Sequence, residues 1–310
     1  MADVIEIEGL VKRYRRWPRG HTVAVDGLDL GVPKGGVFGL LGPNGAGKTT
    51  TLRCLLGLAR PSAGRLRLLG ADCAGELASV IGRVGTVPQS PAFFPAFSGR
   101  RNLLFLARTK GIGRRAVEVV LDQVGLASRA RDPVRHYSFG MRQRLALAAG
   151  LLGDPEVLIL DEPANGLDPG GRRAVSDLIR AMGDQGRTVL VATHFLAEAQ
   201  PVCDRVAIIS RGRVLAAGSV AEVLAKGGAS GLIVRVDRLD EGLRVLREAG
   251  VDAAKNETSL HVNLPPAQAA TVTYHLAQRG LYVSELRPLE ASLESVFIEL
   301  TAPARPGGAR

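Results

Sequence analysis

Apolar and polar residues alternate over residues 4–14 and again over 22–32, with Val and Ile prominent, and this period of two predicts a pair of strands. Trp17-Pro18-Arg19-Gly20 between them has the composition of a turn. The pattern changes at "VFGLL" (37–41), a continuous apolar run too short for a helix, which is how a strand covered on both faces reads. Helical spacing follows it over Lys48 to Leu58. Three similar runs, "VLIL" (157–160), "TVLVAT" (188–193) and "RVAIIS" (205–210), predict further buried strands, with a helical stretch around Leu196 to Val202. Residues 98–127 and 137–152 are Leu- and Ala-rich at helical spacing and form a helical block between the strand-rich parts.

Beyond "GSVAEVLAKGGASG" (218–231) the pattern resets to strand 232–236, helix 240–249, strand 259–264, helix 266–279, strand 282–287 and helix 292–300. The expected organisation is therefore an α/β domain over 1–226 with a helical subdomain at about 90–152, a Gly/Ala-rich linker at 227–231, and a small α/β domain at 232–301. The tail 302–310 has nothing to bury and is expected to be disordered.

Composition agrees with an ordered α/β protein: of 310 residues 46% are hydrophobic, 23% charged and only 4% aromatic, which leaves aliphatic packing. The net charge of +10 invites an anionic partner, but Arg outnumbers Lys 34 to 6 and is read as scattered through the helices, so no nucleic-acid surface is expected. An acidic partner surface stays open. Cys54, Cys73 and Cys203 fall in no metal spacing and read as small buried hydrophobes. The N-terminus has no apolar signal core, and no run of 18 apolar residues occurs, so the cytosol is the expected compartment.

The chemistry begins at "GPNGAGKTT" (42–50), which fits G-x-x-x-x-G-K-[ST] between a predicted strand and a predicted helix. In such a loop Gly42, Pro43, Asn44, Gly45, Ala46 and Gly47 wrap phosphates with backbone groups. Lys48 reaches the outer phosphates, the Thr49 hydroxyl ligates Mg²⁺, and Thr50 is the last ATP-binding residue of the loop. Asp161 and Glu162, at the end of a buried strand, suit a Mg²⁺ partner and a base acting on water. His194 ends another buried strand; it is either a core histidine or a contact to the γ-phosphate or water. Gln89 has a carboxamide able to ligate Mg²⁺ and hold water. Asp168 is either a turn former before Pro169 or functional. Because strand ends in open α/β sheets gather ligands, these groups are expected near the loop.

A second helix start, "YSFGMRQR" (137–144), also reads as anion-seeking, through Ser138 and the N–H groups near Gly140. No Lys-Thr pair follows it, so it needs a nucleotide delivered by another surface.

Taken in order, the phosphate loop, Gln89, "YSFGMRQR", "VLILDEP", "NGLD" and Thr193-His194 resemble the ATP-binding subunit of ABC transporters across residues 4 to about 225. The resemblance implies that Tyr14 stacks on adenine, Glu162 is the catalytic base, His194 is the switch residue and Asp168 communicates across a dimer. It also implies that Ser138, Phe139, Gly140 and Met141 close over the ATP of a second subunit. The usual signature is LSGGQ, and Tyr137, Phe139 and Met141 depart from it in the manner of subunits paired with ABC-2 type permeases. Phe139 puts bulk where Gly is usual, and Arg101 stands where Glu is frequent. The ending "SLESVFIELT" is similar to that of many ABC-2 export ATPases. The implied protein is an ATP- and Mg²⁺-dependent homodimer driving export through a separate permease at the cytoplasmic face. The alternatives are a soluble ABC ATPase acting on nucleic acid or the ribosome, and a ligand-gated regulator working through 232–300.

Overall fold

The computed structural model describes residues 3–15, 20–226, 231–289 and 291–301. The expected turn residues 17–19, the linker residues 227–230 and the tail 302–310 lie outside them. The chain divides into two compact units, Met1–Val220 and Ala221–Arg310.

The first unit opens with paired strands β1 (Asp3–Arg15) and β2 (His21–Pro33), then β3 (Gly36–Leu41), the loop 42–47 and helix α1 (Lys48–Leu55). Strands β4 (Ala63–Leu68) and β5 (Ala71–Asp72) and the short α2 (Leu77–Val80) lead to β6 (Val84–Val87). The helical block consists of α3 (Gly99–Thr109), α4 (Arg114–Gln123) and α5 (Phe139–Leu151). After it come β7 (Val157–Asp161), α6 (Pro169–Asp184), β8 (Thr188–Thr193), α7 (Leu196–Ala199), β9 (Arg205–Ser210) and β10 (Arg213–Ser219); α8 (Val220–Lys226) starts at the last residue of this unit and belongs otherwise to the second.

Two sheets result. One is antiparallel in the order β2-β1-β4-β5; the other runs β10-β9-β3-β8-β7-β6, parallel except for β10. The apolar runs read from the sequence form its centre: every residue of β7 and β8 is buried, as strands covered on both faces must be. Leu52 and Leu55 of α1 share one core with Ile5 and Leu28 of the first sheet and with Leu40, Ile159 and Leu190 of the second. Each such side chain contributes about 1.5–3 kcal/mol by leaving water, so α1 and the loop in front of it are clamped from both sides. The helical block is anchored to the sheet by α5, whose Gly150 carbonyl lies so close to Gly85 of β6 that a Cβ there would collide with it.

The second unit contains β11 (Gly231–Val236), α9 (Leu239–Glu248), β12 (Ala253–Lys255), β13 (Leu260–Val262), α10 (Ala269–Gln278), β14 (Val283–Leu289) and α11 (Leu293–Thr301). Its antiparallel order β12-β13-β11-β14 is that of a split β-α-β unit of ferredoxin type, with Leu232, Val234, Leu246 and Leu276 in its core. The sequence reading gave this unit one strand fewer. The missing strand is β12, whose "AAK" is too short to alternate and poor in β-branched residues.

Candidate functional site

The loop after β3 is shaped by glycines. A Cβ on Gly42 would collide with the Ile209 carbonyl, and Gly47 has φ +108° with its Cβ position 2.6 Å from the Ala24 oxygen. Only glycine fits at either place. Gly47 opens α1 without a side-chain cap and with no acidic residue in the first turn, so the helix presents its N–H groups and positive end toward the loop. Pro43, Asn44 and Gly45 form its exposed lip, while Ala46 is buried beneath.

Lys48 is 5% exposed and folds back along the loop, donating to Gly42 O (2.7 Å) and Pro43 O (3.2 Å). Its ammonium also pairs with Glu162 Oε1 at 3.1 Å. Glu162 itself is held by a bond from its N–H to Ala192 O of β8 (2.8 Å), in a left-handed conformation at φ +50°. Such a conformation in a non-glycine residue costs about 1–3 kcal/mol and is found where a side chain must be aimed. Its Oε2 is 2.8 Å from His194 Nδ1. The His194 ring packs on Phe195 at 3.9 Å, and the Arg172 guanidinium, ion-paired with Glu198, sits 5.2 Å from the same phenyl ring. Three strand ends and the loop therefore meet at one buried carboxylate.

Asp161 Oδ1 accepts a hydrogen bond from the Thr49 hydroxyl at 3.0 Å. Burial pushes the Asp161 carboxyl above the usual carboxylate range, against the lowering effect of that bond. Gln89 is exposed and lines, together with Thr49 and Asp161, a cavity of about 370 Å³. A hydroxyl, a carboxylate and a carboxamide are hard oxygen donors, and their convergence fits Mg²⁺. Thr50 is half-buried in the first turn of α1. Tyr14 stands on β1 opposite Thr22, exposed, with the Lys12 ammonium 4.8 Å over its ring, and belongs to no part of this cluster.

The second helix start forms a separate groove. Ser138 caps α5, its hydroxyl accepting from Met141 N–H at 3.2 Å. Phe139 is 45% exposed and leans on Gly166, with the Arg142 guanidinium 5.7 Å from its ring. Ser138, Phe139, Gly140, Gly166 and Asp168 line a groove of about 540 Å³ that shares no lining residue with the Thr49–Asp161 cavity. Asp168 is the residue before α6, yet its carboxylate makes no capping bond. Tyr137 is buried, donates to Arg129 O (2.8 Å) and lies against Gly99 at the start of α3. Sequence reasoning missed this bracing role and that of Phe195 and Arg172 behind His194. The signals available were an aromatic just before Ser138 and one just after His194.

The family model described as "ABC transporter" matches residues 25–165. A daunorubicin resistance ATP-binding protein of Streptomyces coeruleorubidus is 39% identical, over 98% of this chain and 98% of that protein. The Nod factor export ATP-binding protein I of Ralstonia nicotianae is 37% identical over 96% of this chain and 94% of its own length. Among solved structures, cbiO1 from Clostridium perfringens, part of the ABC transporter complex cbiONQ, superposes with a TM-score of 0.65 at 30% identity, over 73% of this chain and 92% of that one.

Proposed function

The chain belongs to the ATP-binding subunits of ABC transporters, ATP-hydrolysing proteins of the ABC-2 exporter type, and from that premise we propose how its own residues work. Two copies pair head to tail, and each supplies the loop 42–50 for one nucleotide and Ser138 to Met141 for the other. The observation that carries this reading is the division of labour between two grooves. One is lined by the Mg²⁺-type donors Thr49, Gln89 and Asp161, next in sequence to the buried Lys48–Glu162 pair; the other has a helix start, exposed Phe139 and unspent Asp168, and no such pair.

The glycine loop and the α1 N-terminus bind the phosphates, and Lys48 turns from Glu162 to the outer phosphate oxygens. Tyr14 receives the adenine. Thr49, Asp161 and Gln89 hold Mg²⁺, which when bound offsets charge on the phosphate oxygens. Glu162 takes the proton of the attacking water, and His194, fixed against Phe195, orients Glu162 through the 2.8 Å contact. Asp168, in the same groove as Ser138, reports closure from one subunit to the other. The pair drives export through a separate membrane permease, which holds it at the cytoplasmic face; no helix among the described residues is long and apolar enough to cross a membrane. The second unit packs against its twin.

Ser138→Arg tests the pairing. The variant is expected to bind one Mg-ATP with unchanged affinity, to fail to dimerise on gel filtration with ATP, and to lose turnover. Retained ATP-dependent dimerisation with full turnover overturns the shared-site reading.

A further inference from the structure

The first turn of α6 is nearly bare. After Pro169 come Gly170 and Gly171, and a Cβ on Gly171 would stand 2.8 Å from Asp168 Oδ1, so Arg172 carries the first long side chain of the helix. Its N–H closes the turn on Asp168 O at 2.9 Å. The Arg172 side chain lines neither the Ser138–Asp168 groove nor the Thr49–Asp161 cavity. It crosses instead to the segment that follows β8. There the guanidinium stands over the Phe195 ring at 5.2 Å, and Nη1 pairs with Glu198 Oε1 of α7 at 2.5 Å.

Helix stability does not account for this residue. A cation in the first turn opposes the positive end of the helix, and no acidic residue in that turn offsets it. The Arg172 Nε is buried without a hydrogen-bond partner among the described residues, which is a further cost. A lysine ammonium would serve the pair with Glu198; a planar guanidinium can pair with the carboxylate and lie over a ring at the same time. That ring packs on the His194 imidazole at 3.9 Å, and the imidazole meets Glu162 Oε2 at 2.8 Å. Phe195 is already fixed at its backbone: its N–H donates to Thr193 Oγ1 (3.1 Å) and its carbonyl accepts from Ala199 N–H (3.1 Å). What freedom the ring keeps is rotation about its own side-chain bonds, and the guanidinium over it restricts that rotation.

We infer that Arg172 and Glu198 are positioning residues for hydrolysis: through Phe195 they hold the His194 ring in the orientation that aims the Glu162 carboxylate. This rests on His194 orienting Glu162, as proposed for the hydrolytic step. Two other roles predict different behaviour. A plain brace between α6 and α7 needs only the ion pair, and an effect on the Ser138 groove, one turn away at Asp168, would act on pairing rather than on the base.

The test measures phosphate release at saturating Mg-ATP and the KM for ATP in full-length variants, with melting temperature and gel filtration with ATP alongside. His194→Ala is the reference and is expected to lose turnover. Arg172→Ala and Phe195→Leu should lower kcat about tenfold or more, since a displacement of about 1 Å costs up to about 10²-fold, with KM within about twofold and ATP-dependent pairing retained. Glu198→Ala, which frees the guanidinium, should match Arg172→Ala. Arg172→Lys keeps the ion pair and should recover melting temperature but not kcat, whereas Phe195→Tyr keeps the ring and should stay near wild-type kcat. In the His194→Ala background Arg172→Ala should cost nothing more. Wild-type kcat in Arg172→Ala or Arg172→Lys, with His194→Ala impaired, overturns the inference and leaves the role of His194 standing. Additive losses in the double variant overturn it too, as does loss of ATP-dependent pairing in Arg172→Ala. Full turnover in His194→Ala removes the premise and the inference together.

Discussion

Replacing Glu162 by Gln separates the two roles that the geometry gives this carboxylate. The side chains are nearly isosteric, so the carbonyl oxygen of Gln can still accept from Lys48 where Glu162 Oε1 stands at 3.1 Å. Its amide then faces His194 Nδ1, 2.8 Å from the present Oε2, and forces that nitrogen to accept. Removing one partner of a buried ion pair costs about 3–5 kcal/mol when the other is stranded. Lys48 is not stranded, because Gly42 O and Pro43 O remain at 2.7 and 3.2 Å, and the expected loss is nearer the about 1–2 kcal/mol of a weakened charged hydrogen bond. The fold therefore survives with a modest drop in melting temperature. Loss of a positioned base removes about 10²–10⁴ of rate, equal to roughly 3–5 kcal/mol of barrier. Phosphate release at saturating Mg-ATP, with nucleotide affinity measured separately, reads the difference. A kcat within tenfold of wild type refutes the assignment of the base. A large loss of affinity with kcat intact would instead place Glu162 in ground-state binding through Lys48.

Asp161→Asn is expected to abolish hydrolysis while stabilising the fold. The folded-state pKa of Asp161 is raised by burial, so its favourable contribution is complete below the unfolded value and is lost as pH rises through the folded value. Above both values the ionised group is a cost, and removing it should raise the melting temperature. That gain should shrink as the pH is lowered toward about 4, and a scan in which it grows there contradicts the burial argument. Tyr137→Phe removes the bond to Arg129 O and should cost about 1 kcal/mol of stability with turnover unchanged. A turnover defect without a stability loss would mean that the phenol acts in the shared nucleotide site.

What could be read from the sequence followed from strong local signals. The runs at 37–41, 157–160 and 188–193 are buried on both faces, and the residues that end them, Gly42, Asp161 and His194, do come to one edge of the sheet. Strand β4 went unassigned although "RLRL" alternates. Its Leu66 and Leu68 enter the core while Arg65 and Arg67 stay outside, with Arg67 paired to Glu6 on β1. Strand β6 has four residues with a glycine at its second position, too short a pattern to be read even with Val84, Thr86 and Val87, and it is fixed by pairing with β7 and by the packing of α5 on Gly85. The Lys48–Glu162 contact joins residues more than a hundred apart, and no local pattern announces it. The uneven charge was missed for a different reason: a count of Arg over the chain averages away the helical block, where residues 91–152 hold eleven basic and three acidic residues.

The two grooves are linked by backbone as well as by a proposed second copy. Helix α5 begins at Ser138 and packs through Gly150 against Gly85 of β6, with no room for a side chain between them. Strand β6 runs directly toward Gln89, which lines the cavity with Thr49 and Asp161. At its other end the α5 entry is tied through Tyr137 to Arg129 and Gly99, and so to the start of α3. A packed contact of this kind transmits displacement because neither side can compress. A displacement of α3 therefore reaches both the Ser138 groove and the Gln89 edge of the Thr49–Asp161 cavity through a single helix. That is a physical reason for a buried tyrosine to stand where a smaller residue would satisfy nucleotide binding alone.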